Sequence, residues 1–163
     1  MGFVNKGLVK VCGKPMAMHV VENVSRICSF VLIAVSSNTR SLAQLFRGSL
    51  GIDIVETSGR DYVEDLSMLL KALRKPVLVL PIDVPTLKHE DLSKFVDEAL
   101  RDPRPIATMV SGGRLIGVSL FKDVEGPWID IEVPNLVDVD TFEDLKLVEE
   151  MLCGDERDEV PRR

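Results

Sequence analysis

Three short runs of aliphatic and β-branched residues set the strongest limit on how this chain can fold. Phe30-Val31-Leu32-Ile33-Ala34-Val35 runs into Ser36-Ser37-Asn38-Thr39. Ile52-Asp53-Ile54-Val55-Glu56 runs into Thr57-Ser58-Gly59, and Pro76-Val77-Leu78-Val79-Leu80-Pro81-Ile82 into Asp83-Val84-Pro85. A run that is apolar at nearly every position, such as residues 30–35, suits a strand buried on both faces and fits a parallel sheet better than one half exposed to water. Helical patterns separate the runs. One starts near Pro15, a residue suited to a helix N-terminus, with Met16, Val20, Val21, Val24 and Ile27 in register. A short helix to about Phe46 follows the first run, and a longer one, with Val63, Leu66, Leu70 and Leu73 on one face, follows the second. A third spans about residues 90–100. Strand–helix alternation of this kind predicts an α/β fold, a mainly parallel sheet flanked by helices.

The pattern changes after residue 105. Residues 106–110 and 115–121 read as two strands joined by a tight turn at Gly112-Gly113, since a hairpin turn of this kind needs two residues of positive φ. Beyond Trp128, a strand is predicted near Val137 and a last helix from Thr141. Residues 1–153 fit one domain, which 163 residues suffice to build. Residues 154–163 read as a charged, mobile tail.

Composition removes several function classes. The formal net charge is −6 with no basic stripe, which argues against a nucleic-acid surface. It leaves room for a nucleotide, because a few aimed backbone N–H groups, one lysine and a metal ion suffice for a triphosphate. No apolar run approaches the roughly 20 residues of a membrane span. The N-terminal sequence carries no secretion signal, so the cytoplasm is the expected compartment. Cys12, Cys28 and Cys153 are odd in number and far apart, and read as reduced, mostly buried thiols.

In open α/β sheets ligands bind beyond the carboxyl ends of the parallel strands. Polar residues at such ends are ordinary, since loop backbone must be solvated, and that reading covers the serine and threonine loops taken alone. Asp83 is different: it follows a run expected to be deeply buried and emerges at the rim. Asp138, in Leu136-Val137-Asp138-Val139, is a second carboxylate that could reach the same rim. Two carboxylates there could hold Mg²⁺ against a polyphosphate.

Three segments carry a resemblance. Lys6-Gly7-Leu8-Val9-Lys10-Val11-Cys12-Gly13-Lys14-Pro15-Met16 resembles the K-x-L-x-x-x-G-K-P-L stretch of sugar-nucleotide and cofactor nucleotidyltransferases. Asp83-Val84-Pro85 resembles their D-x-P, and Val137-Asp138-Val139-Asp140-Thr141-Phe142-Glu143-Asp144-Leu145 their late N-[IV]-N-T-x-x-D-L. Thr57-Ser58-Gly59-Arg60-Asp61-Tyr62-Val63-Glu64-Asp65-Leu66 is more specific and resembles the archaeal GTP:adenosylcobinamide-phosphate guanylyltransferases. The resemblance implies a Rossmann-like, nucleotide-diphospho-sugar transferase-like sheet. It implies transfer of GMP from GTP to adenosylcobinamide phosphate, releasing pyrophosphate, with a homodimer as a candidate assembly. Lys6 would contact the triphosphate, and Lys6 and Asp83 would be the catalytic pair. Asp83 and Asp138 would bind Mg²⁺; Asp138 stands where relatives often carry asparagine, and either offers an oxygen. Ser36, Ser37, Asn38, Thr57, Ser58, Gly59 and Tyr62 would hold the nucleotide. Gly117 and Ser119 resemble part of a G-[IV]-N stretch on the acceptor side.

The resemblance also implies an absence. Relatives open with a hydrophobic strand and a glycine-rich G-G-x-G-T-R-M-G loop, and Met1-Gly2 falls at the end of that loop. The strand is central in the sheet, so its loss would leave backbone groups unpaired at a cost on the order of 1–3 kcal/mol each. The expectation is that Met1 is an internal methionine of a longer natural protein. Two other readings stand beside the leading one: a molybdenum-cofactor guanylyltransferase, and an inactive truncated protein that binds nucleotide weakly or serves in assembly. His19 and His89 read as structural or solvent-facing, Trp128 as buried, and Gly112-Gly113 as a hairpin turn rather than a phosphate cradle.

Overall fold

A computed structural model of the chain describes residues 5–154. A 3-10 turn, Lys6–Leu8, leads into a small antiparallel hairpin of β1 (Lys10–Val11) and β2 (Lys14–Pro15). The helix α1 (Met16–Val24) starts directly after Pro15, as its fixed φ suggests. Then come β3 (Val31–Val35), a 3-10 segment Arg40–Leu45, β4 (Ile52–Glu56) and α2 (Tyr62–Ala72). After β5 (Val77–Val79) follow α3 (His89–Arg101), β6 (Ile106–Ser111), β7 (Arg114–Phe121), β8 (Trp128–Glu132) and α4 (Phe142–Cys153). No described helix is long and apolar enough to cross a membrane.

The strands form an α/β arrangement in separate pieces. β3 and β4 pair in parallel, and a four-stranded sheet runs β5-β7-β6-β8. Within the latter, β7 is antiparallel to β5 and β6, and β8 is parallel to β6. The β6–β7 hairpin turns at Gly112 and Gly113, both at positive φ, as read from the sequence. β3 and β5 are each paired on one edge only among the described residues. Val31 of β3 packs against both main apolar clusters, and Ile82, just past β5, packs into the cluster of β3. The two edges therefore border one interval, the arrangement expected of a sheet that lacks a central strand.

Packing explains the elements. Leu92, Phe95 and Ala99 of α3 lie against Ala107, Met109, Val118, Leu120 and Ile131 on one face of the four-stranded sheet. Ala17 and Val21 of α1 join Ile33, Val35, Leu42 and Phe46. Val148 of α4 meets Val11, Met16 and Val139.

Several expectations are corrected. The run at residues 30–35 is only partly buried: Phe30 is 50% exposed and Ala34 is exposed, on the face opposite the buried Ile33 and Val35, which is left uncovered. Val63 is exposed on α2 rather than facing a core. Residues 136–140 form no strand; the strand of this region is β8, whose first residue, Trp128, is 63% exposed rather than buried. The segment after β8 is turned by Asn135 at φ 63 and held by single bonds, Val137 N–H to Thr86 Oγ1 (3.1 Å) and Val139 N–H to the Asp83 carbonyl (2.8 Å). Cys12 and Cys153 are joined in a disulfide, with Cα atoms 5.6 Å apart, where the sequence suggested free thiols. Packing of α4 against β1 brings together cysteines 141 positions apart, a proximity that spacing cannot reveal. Cys28 is a free thiol, and burial pushes its pKa up. All of the expected tail except Gly154 lies outside the described residues.

Candidate active site at the sheet rim

The carboxyl end of β5 delivers Asp83 to the rim, as the sequence pattern requires. Its backbone carbonyl accepts from Val139, and Val84, Pro85, Thr86 and Leu87 behind it are buried, so the loop that carries the carboxylate is fixed. Lys6 donates to Asp83 Oδ2 at 3.0 Å and also pairs with Asp140. Partial burial opposes charge on Lys6, but the hydrogen bonds to Asp140 and Asp83 outweigh it and hold the ammonium above its ordinary range. Lys6 stays charged.

Asp140 is the residue that the sequence pattern did not single out. Val139 is fully buried and the aspartates on either side of it reach the surface. Asp140 takes Lys6, whereas Asp138 lies 3.5 Å from the guanidinium of Arg114. The D-V-D alternation around a buried valine was the available signal. Thr141 and Asp144 then form a capping box at the start of α4, fixing where that segment ends. The Thr141 hydroxyl and backbone N–H hold the Asp144 carboxyl below its usual range.

Gly7 explains how this carboxylate site joins the neighbouring loops. It is buried, and a Cβ there would lie 2.6 Å from the Leu42 Cδ1 and 2.7 Å from the Ile82 Cδ1, so the Lys6 turn passes close between the 3-10 segment and the end of β5, and a larger residue would push those side-chain ends aside. Asn5 donates to Ser41 Oγ at 2.7 Å from the same turn, while its own Oδ1 is buried without a partner among the described residues.

The two loops after β3 and β4 abut. Gly59, at φ +66, sits so close to Ser36 that an added Cβ would be 2.6 Å from the serine Cβ. Ser36 N–H donates to Thr39 Oγ1 at 2.9 Å, leaving Ser37 and Asn38 exposed. Thr57 N–H donates to the Val35 carbonyl at 2.8 Å. The Asp65 carboxylate gathers Ser58 Oγ (2.7 Å), Ser58 N–H (3.2 Å) and Gly59 N–H (2.9 Å). The Ser58 hydroxyl first, then those N–H groups, hold the Asp65 carboxyl below its usual range. Tyr62 is 71% exposed at the start of α2. His19 is structural: its Nε2 lies 2.8 Å from the Val11 carbonyl.

On the acceptor side, Gly117 lies beside Pro81, two positions before Asp83, and Ser119 Oγ is 3.1 Å from Thr108 Oγ1. The described residues contain no cluster of three or more His, Cys, Asp or Glu groups able to form a metal centre alone.

Residues 1–147 match the MobA-like NTP transferase domain. The chain is 25% identical over 181 aligned positions to the adenosylcobinamide-phosphate guanylyltransferase of Methanocaldococcus jannaschii, covering 95% of this chain and 92% of that protein. Among solved structures, the molybdopterin-guanine dinucleotide biosynthesis protein A of Archaeoglobus fulgidus superposes with TM-score 0.67 at 15% identity, covering 94% of this chain and 96% of that one. Rv0371c of Mycobacterium tuberculosis, in complex with manganese, gives 0.69 at 13% identity, covering 89% and 91%. These likenesses give the fold, nucleotide-diphospho-sugar transferase-like. The chain belongs to the MobA-like NTP transferase family and is a nucleotidyltransferase.

Proposed function

We propose that this protein transfers GMP from GTP to adenosylcobinamide phosphate. The observation that carries the chemistry is Lys6 held between Asp83 and Asp140 at the end of β5. The choice of substrates rests on the 25% identical relative and on the motif at residues 57–66. An oxygen of the acceptor phosphate attacks the α-phosphorus of GTP, forming the new P–O bond. The bond from the α-phosphorus to the bridging oxygen breaks, and pyrophosphate leaves with the electron pair. The attacking phosphate is already ionised near pH 7, so no side chain has to remove a proton.

Lys6 supplies a point charge for the triphosphate, the role to which an ammonium is suited. Asp83, with Asp138 and Asp140 from the segment that Val139 ties to its backbone, would hold a divalent cation. When bound, that ion neutralises charge on the triphosphate and the departing pyrophosphate. Ser36, Ser37, Asn38, Thr57, Ser58, Gly59 and Tyr62 form the nucleoside side. The Thr57, Ser58 and Gly59 N–H groups are already spent on Val35 and Asp65, which makes that loop preorganised. What remains for a ligand is acceptance by carbonyls, matching the N1–H and amino donors of guanine. Catalysis on this reading is positioning and charge neutralisation.

The test is pyrophosphate release with GTP and a divalent cation, offering adenosylcobinamide phosphate and molybdopterin in parallel. Release with the cobinamide acceptor is expected, and Lys6→Met should lower kcat/KM by about a hundredfold or more. Release with molybdopterin alone would move the assignment to molybdenum-cofactor chemistry. Absence of release with either would favour an inactive nucleotide-binding or assembly protein.

A further inference from the structure

We propose that the open face of the four-stranded sheet is the platform on which the flat, apolar body of the acceptor lies, with Trp128 as its far anchor. The proposal rests on the cobinamide reading above and deepens it. α3 covers one face of this sheet, and alternation sends Ile106, Thr108, Leu115, Gly117, Ser119 and Trp128 to the other. There Leu115 is 68% exposed and Trp128 63%. Together with Ile106, Thr108 and Ser119 they line a shallow hollow of ≈ 270 Å³. An aromatic side chain on β8 and an aliphatic one on β7, left in water on the same face with β6 between them, are the mark of a recognition surface.

Continuity with the transfer site identifies the occupant. β7 is antiparallel to β5 with Ser119 opposite Val79, so its first residues run toward the rim where Asp83 emerges. Gly117 presents no side chain there, and a Cβ at that position would lie 3.4 Å from the Pro81 ring, two positions before Asp83. Trp128 pairs with Ile106 at the other end of the strands. An acceptor with its phosphate at Lys6 and Asp83 therefore extends its body along this face toward Trp128. The strands β7, β6 and β8 span two spacings of about 4.8 Å, giving a face roughly 10 Å wide. The paired hydroxyls of Thr108 and Ser119 in the middle of the hollow match the amide groups that a corrin carries on its rim.

Calorimetric titration of the full chain with adenosylcobinamide phosphate, and separately with GTP, tests the platform. Trp128→Ser and Leu115→Gln remove exposed side chains, so neither opens a core cavity. Each is expected to weaken acceptor binding by about tenfold, with GTP affinity held within about twofold. Circular dichroism on both variants guards against misfolding. Parent-like acceptor affinity in both variants overturns the platform while leaving the functional reading intact. The platform is equally overturned if Trp128→Ser only converts a sedimenting dimer to a monomer. A parent chain that binds GTP but no cobinamide phosphate overturns the functional reading, and the platform with it.

Discussion

Asp65 shows how one residue can hold a loop in place. Its carboxylate collects two backbone N–H groups and a hydroxyl from the turn at Ser58 and Gly59, and that turn leans on Ser36. Its folded pKa is depressed, so its contribution is present above the unfolded value near 3.9 and fades as pH falls through the folded pKa. Asp65→Asn keeps the shape but replaces one acceptor oxygen with a donor facing N–H groups. The variant is expected to melt on the order of 5 °C lower at pH 7, with the difference shrinking as the pH is taken from 5 to 3. Equal differences across that range would refute the role. At this scale the sequence showed which residue types reach the rim, and Lys6 and Asp83 do meet. It hid Asp140, because one-dimensional spacing does not say which of two aspartates flanking a buried valine faces the lysine. Asp65 belongs to the motif at residues 57–66, but its role needed the turn geometry.

At the scale of elements, strand and helix order was legible because period-two and helical patterns are local. The late strand was not. Residues 136–140 and Trp128–Glu132 are both rich in branched residues, and only the parallel pairing of β8 with β6 decides between them. The disulfide is the same kind of case. It ties α4 to the loop between β1 and β2, the hairpin that follows Lys6, across 141 positions of sequence. Constraining so long a loop in the unfolded chain is worth about 2–5 kcal/mol in typical cases. Cys153→Ser, or reduction of the parent chain, is expected to lower unfolding free energy by that amount in urea titration. An unchanged midpoint in both would show that the cross-link adds nothing beyond the packing of Val148 on Val11 and Met16.

The whole molecule poses the question that its parts leave open. Among the described residues, β3 and β5 border one interval with unpaired edges. Beside that interval, the Lys6 turn carries a buried Asn5 oxygen with no donor among those residues. One added strand, parallel to β3 and β5, would pair both edges and join the two sheets into one. A glycine-rich turn at its carboxyl end would arrive near Lys6, where backbone N–H groups could surround a triphosphate. Such a strand would also repair stability, since each pair of backbone groups satisfied contributes on the order of 1 kcal/mol. Fusing an apolar strand and a glycine-rich turn ahead of the chain is therefore expected to raise Tm by on the order of 10 °C. GTP affinity in the presence of Mg²⁺ should rise by about a hundredfold, because phosphate ligands would be added to a lysine that is already in place. Differential scanning calorimetry and GTP titration on the two chains, side by side, measure both. If the longer chain neither melts higher nor binds GTP more tightly, the interval is not a strand site. The nucleotide would then have to be held by the loops at residues 36–39 and 57–59 with Lys6 alone.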